Sequence, residues 1–361
     1  MSSPLRAWLL ALSCFWLAPA HASTVVFLNP GTSTETFWVS YTAFMQAAAS
    51  NLGMTLQVRY GDRDPRLSLS QAREALLGPQ RPDYLVFVNE LYIAPEILRL
   101  SEGSGVKLFA VNNTLTEDQE KLLGDVRGRY PNFIGSLVAN DEDAGYLIAE
   151  ELIRLQPKPA EGQSIELLAF SGSTTTPAAH RREVGLYRAL AEHPEVRLLQ
   201  LVHGGWQRQR AEEQGRQLFK RYPQVNLVWT ANDEMAFGAM AALRESGRVP
   251  GKDVMFGTLN GSMPALEARL NGTLTVLVSG HFTLGGWSMV LLHDYDVAKE
   301  QDRQPPGDRQ LDLIQLITPN DAKRLLKAGR DASFGIDFRQ LSQAGKPGPA
   351  HYRFSLKSIL P

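Results

Sequence analysis

Amide and hydroxyl side chains recur at the carboxyl ends of short apolar runs in this chain. Asn89, Asn112-Asn113-Thr114, Asn232-Asp233-Glu234 and Asn260-Gly261-Ser262 each follow such a run. An asparagine amide offers both donors and an acceptor, which is what a ligand rich in hydroxyl groups needs. Phe37-Trp38 and Trp206 supply flat apolar faces on which the carbon side of such a ligand could stack. Arg182 adds a guanidinium, and Thr34 and His281 add further polar groups in loops. The bland alternatives stay open: each asparagine could cap the helix that follows it, and each aromatic could fill core. Catalytic readings fare worse. There is no Gly-x-Ser-x-Gly elbow and no phosphate-binding Gly-x4-Gly-Lys-Ser/Thr loop. The seven histidines lack zinc-ligand spacing. No enzyme activity, catalytic residue, metal or cofactor is expected.

The elements that must position these groups alternate strictly. Strands are expected at 24–28, 55–60, 84–88 and 106–111, separated by helices at 37–51, 68–77 and from 95 to about 103. The pattern restarts with a helix at 140–155, then strands at 164–170, 196–202, 227–230 and 254–259 with helices between them. Such alternation implies βαβ units and parallel sheets, an α/β fold. Phe87-Val88-Asn89-Glu90 parallels Thr230-Ala231-Asn232-Asp233-Glu234, and Phe109 to Thr114 parallels Phe256 to Ser262, so the two halves read as a duplicated domain. Open α/β sheets bind ligands at the carboxyl edge of their strands, and two such edges facing each other would make one polar pocket.

The remaining composition narrows the setting. The chain has 361 residues, 43% of them hydrophobic, and a net charge of −1, so nothing global points to nucleic acid. Arg6, the apolar run from Trp8 to Leu17 and Ala20-His21-Ala22 read as a cleavable secretory signal peptide over 1–22. The only cysteine, Cys14, falls inside it, which leaves the mature chain without a thiol. A periplasmic location follows.

Asn232-Asp233-Glu234-Met235-Ala236 with Gly238-Ala239, the Asn29 to Trp38 loop, Ala178 to Arg182 and Phe256 to Gly261 together resemble the type I periplasmic binding proteins, the ribose-binding and LacI-like sugar-binding group. The resemblance implies two Rossmann-like lobes with parallel sheets, joined by three hinge crossovers near Leu137 to Asn140, Ser279 to Thr283 and Ile314 to Thr318. It places 23–137 plus 283–314 in an N-terminal lobe and 138–280 plus 315–330 in a C-terminal lobe. Residues 331–361 are expected to form an extension that packs against a lobe, the alternative being a partner-contact surface built on its aromatics. The resemblance implies a small sugar-like ligand held by Thr34, Phe37, Trp38, Asn89, Asn112, Asn113, Arg182, Trp206, Asn232, Asn260 and His281. The partner would be an ABC permease. The alternative partner is a membrane sensor, a histidine kinase or chemoreceptor, with this chain as its detecting subunit; with either partner a monomer is expected. Where many members carry Asp-Arg, this chain has Asn112-Asn113. Asn260 stands for their Asp, and Ser279-Gly280-His281 for their Gln. Neutral amides would replace charged contacts, with Arg182 the one guanidinium left. A modified sugar, a polyol or a furanosyl signal such as autoinducer-2 would suit that set.

Overall fold

The computed structural model describes residues 22–157, 164–346 and 350–360. The signal peptide expected over 1–22 lies almost wholly outside them, as does Cys14. No helix among the described residues is long and apolar enough to cross a membrane.

Two six-stranded sheets make up the protein. The first contains β1 (Thr24–Asn29), β2 (Thr55–Tyr60), β3 (Tyr84–Phe87), β4 (Lys107–Val111), β5 (Phe133–Ala139) and β11 (Gly307–Leu311), in the order β11-β5-β4-β3-β1-β2. The second contains β6 (Ile165–Ser171), β7 (Val196–His203), β8 (Leu227–Thr230), β9 (Met255–Leu259), β10 (Val276–Ser279) and β12 (Gln315–Leu316), in the order β12-β10-β9-β8-β6-β7. All pairings are parallel except β10 with β12. Inner strands are mostly apolar because helices cover both faces: every residue of β3 and of β8 is buried. The edge strands β2 and β7 are mostly half-buried. In each sheet the strand order reverses beside the first strand of its half, between β1 and β3 and between β6 and β8. Crevices open at such switch points.

The chain passes between lobes after β5, after β10 and between β11 and β12. The helix Leu284–Val297 after β10 packs on Thr36–Asn51 of the first lobe. To these three passages the C-terminal residues add a fourth. The helix Pro319–Ala328 packs on Met263–Asn271 in the second lobe, yet Phe338 inserts beside Phe44 and Trp287 in the first.

One close approach matters for the site. A Cβ on Gly145 would stand 1.9 Å from the carbonyl oxygen of Arg182, and one on Gly185 would stand 1.9 Å from that of Glu142. Glycine at both positions lets the helices Asp141–Leu155 and Pro177–Glu192 touch backbone to backbone, which brings Arg182 to Asp141.

Candidate functional site

The loop after β1 is fixed by Asn29, whose side chain accepts from the Gly31 amide at 3.0 Å and donates to Thr42 at 3.1 Å. That fixes the start of the next helix, where Phe37 and Trp38 project. Phe37 lies flat on His281, ring centroids 4.5 Å apart and planes 16° from parallel. It meets Trp38 edge-on at 4.8 Å. On the opposite lobe Trp206 sits on left-handed backbone, φ 69°, 5.5 Å from the guanidinium carbon of Arg182.

Between these walls lies a space of about 360 Å³, including its opening to solvent. Phe37, Trp38, Asn112, Asn113, Arg182, Trp206, Asn232, Asn260 and His281 all line it. Two expected residues do not. Asn89 turns its amide into its own lobe, accepting from the Ala94 amide at 3.0 Å and donating to Thr114 O at 2.8 Å and Gln119 at 2.7 Å. It holds a loop together, with both amide hydrogens spent inside its own lobe. Thr34 is exposed and faces a separate groove at the mouth of the cleft.

Glu35, Arg63, Glu90 and Thr176 also line the cavity, and the reading of the sequence missed them. The expectation that Arg182 is the one guanidinium is therefore corrected. Arg63 donates through Nε to Glu35 at 3.2 Å and through Nη1 to Glu90 at 2.8 Å. Glu90 in turn accepts from Thr176 of the other lobe at 2.8 Å, and Thr36 donates to Glu234 across the cleft at 3.2 Å. The lobes are closed on each other. The missed residues obey the strand-end rule: Arg63 follows β2 and Glu90 follows β3.

The amides are unequally engaged. Asn232 caps the helix Asp233–Glu245, accepting from Met235 N at 2.9 Å, and donates to Trp206 O at 3.3 Å. Asn260 donates to Asp233 at 2.7 Å, which leaves its carbonyl oxygen as an acceptor. Asn113 Nδ2, Trp38 Nε1 and His281 Nδ1 are buried with no hydrogen-bond partner among the described residues. A buried polar atom left unpaired costs about 1–3 kcal/mol, and all three belong to residues that line the same cavity. Burial drives the His281 pKa well below the ordinary 6.5, and the Arg182 charge pushes it further. The ring is neutral at physiological pH, with one nitrogen donating and the other accepting.

Burial raises the Asp233 carboxyl from 3.8 to about 6, against the pull of its hydrogen bonds from Ser262 and Asn260. Between the unfolded and folded values the native state binds more protons, so this group makes stability rise as pH falls from about 7 toward 4. Asp233→Asn should flatten that part of the profile. Urea unfolding at a series of pH values reads the slope, and a variant as pH-dependent as the wild type would refute the assignment.

Two lobes closing over a pocket of amides and aromatic faces define a ligand-capturing protein of the two-lobed class. The periplasmic binding protein domain matches residues 25–299, and the chain belongs to that family. It is 21% identical over 329 residues to the galactofuranose-binding protein YtfQ of Escherichia coli K12, covering 88% of this chain and 95% of that one. It is 26% identical over 270 residues to the ribose import binding protein RbsB of Salmonella typhimurium, covering 74% and 84%. A periplasmic sugar-binding protein from Pseudomonas fluorescens superposes with a TM-score of 0.84 at 53% identity, over 94% of this chain and all of that one. A galactofuranose-binding protein shares the fold at 0.73 and 20% identity. The chain is a binding protein and not an enzyme.

Proposed function

We propose that the protein captures a small sugar-like ligand between its lobes in the periplasm and presents the closed form to an ABC permease. The single observation that carries the ligand reading is the set of unpaired buried nitrogens on Trp38, Asn113 and His281 around one aromatic-walled cavity. The import role is supported by relatives named for ribose import and galactofuranose binding. Furanose forms come first because solved proteins of the same fold are named for galactofuranose and L-arabinofuranose. The protein works as a monomer in this reading, since one chain supplies every wall of the pocket.

The test is a thermal-shift screen of pentoses, hexoses, their furanosides and polyols. A ligand at about 1,000 times its Kd stabilises the native state by roughly 4 kcal/mol, a shift that is easily read. Asn113→Leu supplies the control. It removes a buried amide nitrogen that has no partner among the described residues, so stability without added sugar should hold or rise. Affinity should fall by about 1–3 kcal/mol, since the ligand loses a paired group. A variant that binds as tightly as the wild type would remove Asn113 from the site, and a screen of sugars without a hit would sink the ligand class.

A further inference from the structure

Arg63 and Glu90 are delivered to the cavity by strained backbone. Asp62 and Arg63 after β2 have φ of 49° and 59°, and Leu91 and Tyr92 after Glu90 have φ of 55° and 59°. Left-handed residues other than glycine are individually unfavourable, and such outliers gather at ligand clamps. Here two pairs of them flank one ion cluster, in which Glu35 and Glu90 both hold Arg63. Glu90 is 4% exposed. Its other bond crosses the cleft to Thr176, which also accepts from Trp206 Nε1 at 3.3 Å. Closure of the lobes and the charge state of the pocket therefore meet at one carboxylate.

The charge balance around the cavity is one-sided. Arg182 is paired with Asp141 directly behind it, and Arg63 with Glu35 and Glu90. Three carboxylates face two guanidiniums, and among the described residues lining the cavity no cation is left for an anionic guest. An anion that drew Arg63 away would strand Glu90, buried, without its counter-charge. Breaking a buried pair in that way is strongly unfavourable.

We propose that Glu90 is the specificity-determining residue of this pocket: by keeping Arg63 occupied and latching to Thr176, it admits uncharged sugars and rejects sugar acids and sugar phosphates. The inference rests on the sugar-capture reading and goes one step further, to the charge of the ligand. Matched sets test it: D-galactose with D-galacturonate, and D-ribose with ribose 5-phosphate, measured by thermal shift and calorimetry. In the wild-type protein the neutral member that binds should do so at least 100-fold more tightly than its acid. Glu90→Gln keeps the side chain's size and a carbonyl for Thr176 but leaves Arg63 with Glu35 as its one carboxylate partner, so that part of its charge can turn to a guest. It should tighten binding of the acid at least 10-fold while changing the neutral partner less than about 3-fold.

A wild-type protein that binds the acid or phosphate as well as the parent sugar overturns the charge filter and leaves sugar capture standing. An unchanged preference in Glu90→Gln, with the neutral sugar still bound, removes Glu90 from the role. If other neutral or charged solutes stabilise the protein and no sugar does, the sugar reading falls and this inference with it. Thr176→Val completes the set: it breaks the latch, and the Trp206 bond with it, but leaves the Arg63 cluster intact, so it should weaken the neutral sugar and leave the acid excluded. Admission of the acid by Thr176→Val would show that closure rather than charge does the selecting.

Discussion

Arg182→Ala should lower the free energy of unfolding by about 3–5 kcal/mol and abolish tight ligand binding, because it breaks a fully buried ion pair from one side. Both side chains of the pair are 5% exposed. Arg182 donates to the same oxygen of Asp141 through Nε and approaches it through Nη2, each at 2.7 Å. It also donates through Nη1 to Ala231 O at 2.7 Å. One guanidinium thus ties together the start of one helix, the body of another and the end of β8. Burial already raises the Asp141 pKa, and the Arg182 charge opposes that rise. Without the arginine, folding must strand the carboxylate or protonate it, so the loss should be largest above neutral pH and shrink in acid. Arg182→Lys keeps the charge but lacks the planar fork that serves Asp141 and Ala231 together, and should fall between. The double variant Arg182→Met, Asp141→Leu should recover much of the loss, since nothing charged remains buried. It should not recover binding. Urea unfolding and calorimetry on the four proteins check this. A single variant within 1 kcal/mol of wild type, or a double variant no better than Arg182→Ala, would contradict the assignment.

How much of this was legible in the sequence depended on whether the signal was local. Strands β3, β8 and β9 are short apolar runs between turn residues, and their positions follow from that alone. Strand β11, Gly-Asp-Arg-Gln-Leu, has no apolar pattern; it exists because β5 offers it a free edge, and no local rule sees that. The helix Glu117–Leu123 carries no apolar periodicity because it buries no residue at all, although its Thr116–Gln119 capping box is a readable start signal. The cavity's amides and aromatics were legible as strand-end and helix-start residues. Their orientation was not: Asn89 and Asn112 follow similar strands, yet one turns into its lobe and the other toward the cavity. Arg63 and Glu90 were passed over because isolated charges in loops usually face water. The left-handed backbone that aims them inward leaves no trace in a sequence without glycine at Asp62, Arg63, Leu91 and Tyr92.

Phe338→Ala is the second large effect, about 3–5 kcal/mol of lost stability. It bears on the part of the chain that lies beyond the matched family domain. Phe338 is fully buried, and its ring lies 5.3 Å from Phe44 and 5.9 Å from Trp287. Phe334 meets Phe44 at 5.0 Å, and Phe354 stacks on Trp287 at 5.2 Å with planes 11° apart. Asp294 fastens the same segment, accepting from Gln343 N at 2.6 Å and Tyr352 at 3.0 Å. Burial alone would raise its pKa, but these bonds and those from His293 and Ser342 hold it below the ordinary carboxylate value. Its share of the docking energy is therefore present at neutral pH and lost as pH falls through that lowered value. Phe44 also packs edge-on against Phe282, 5.7 Å away and adjacent in sequence to the pocket's His281. The extension is thus part of the core behind one wall of the site, and the melting temperature should fall by on the order of 10 °C in Phe338→Ala. Affinity should fall much less than stability, because Phe37 still holds the His281 ring in place. An extension that merely lay on the surface would give a variant that melts with the wild type; scanning calorimetry with and without ligand separates the two.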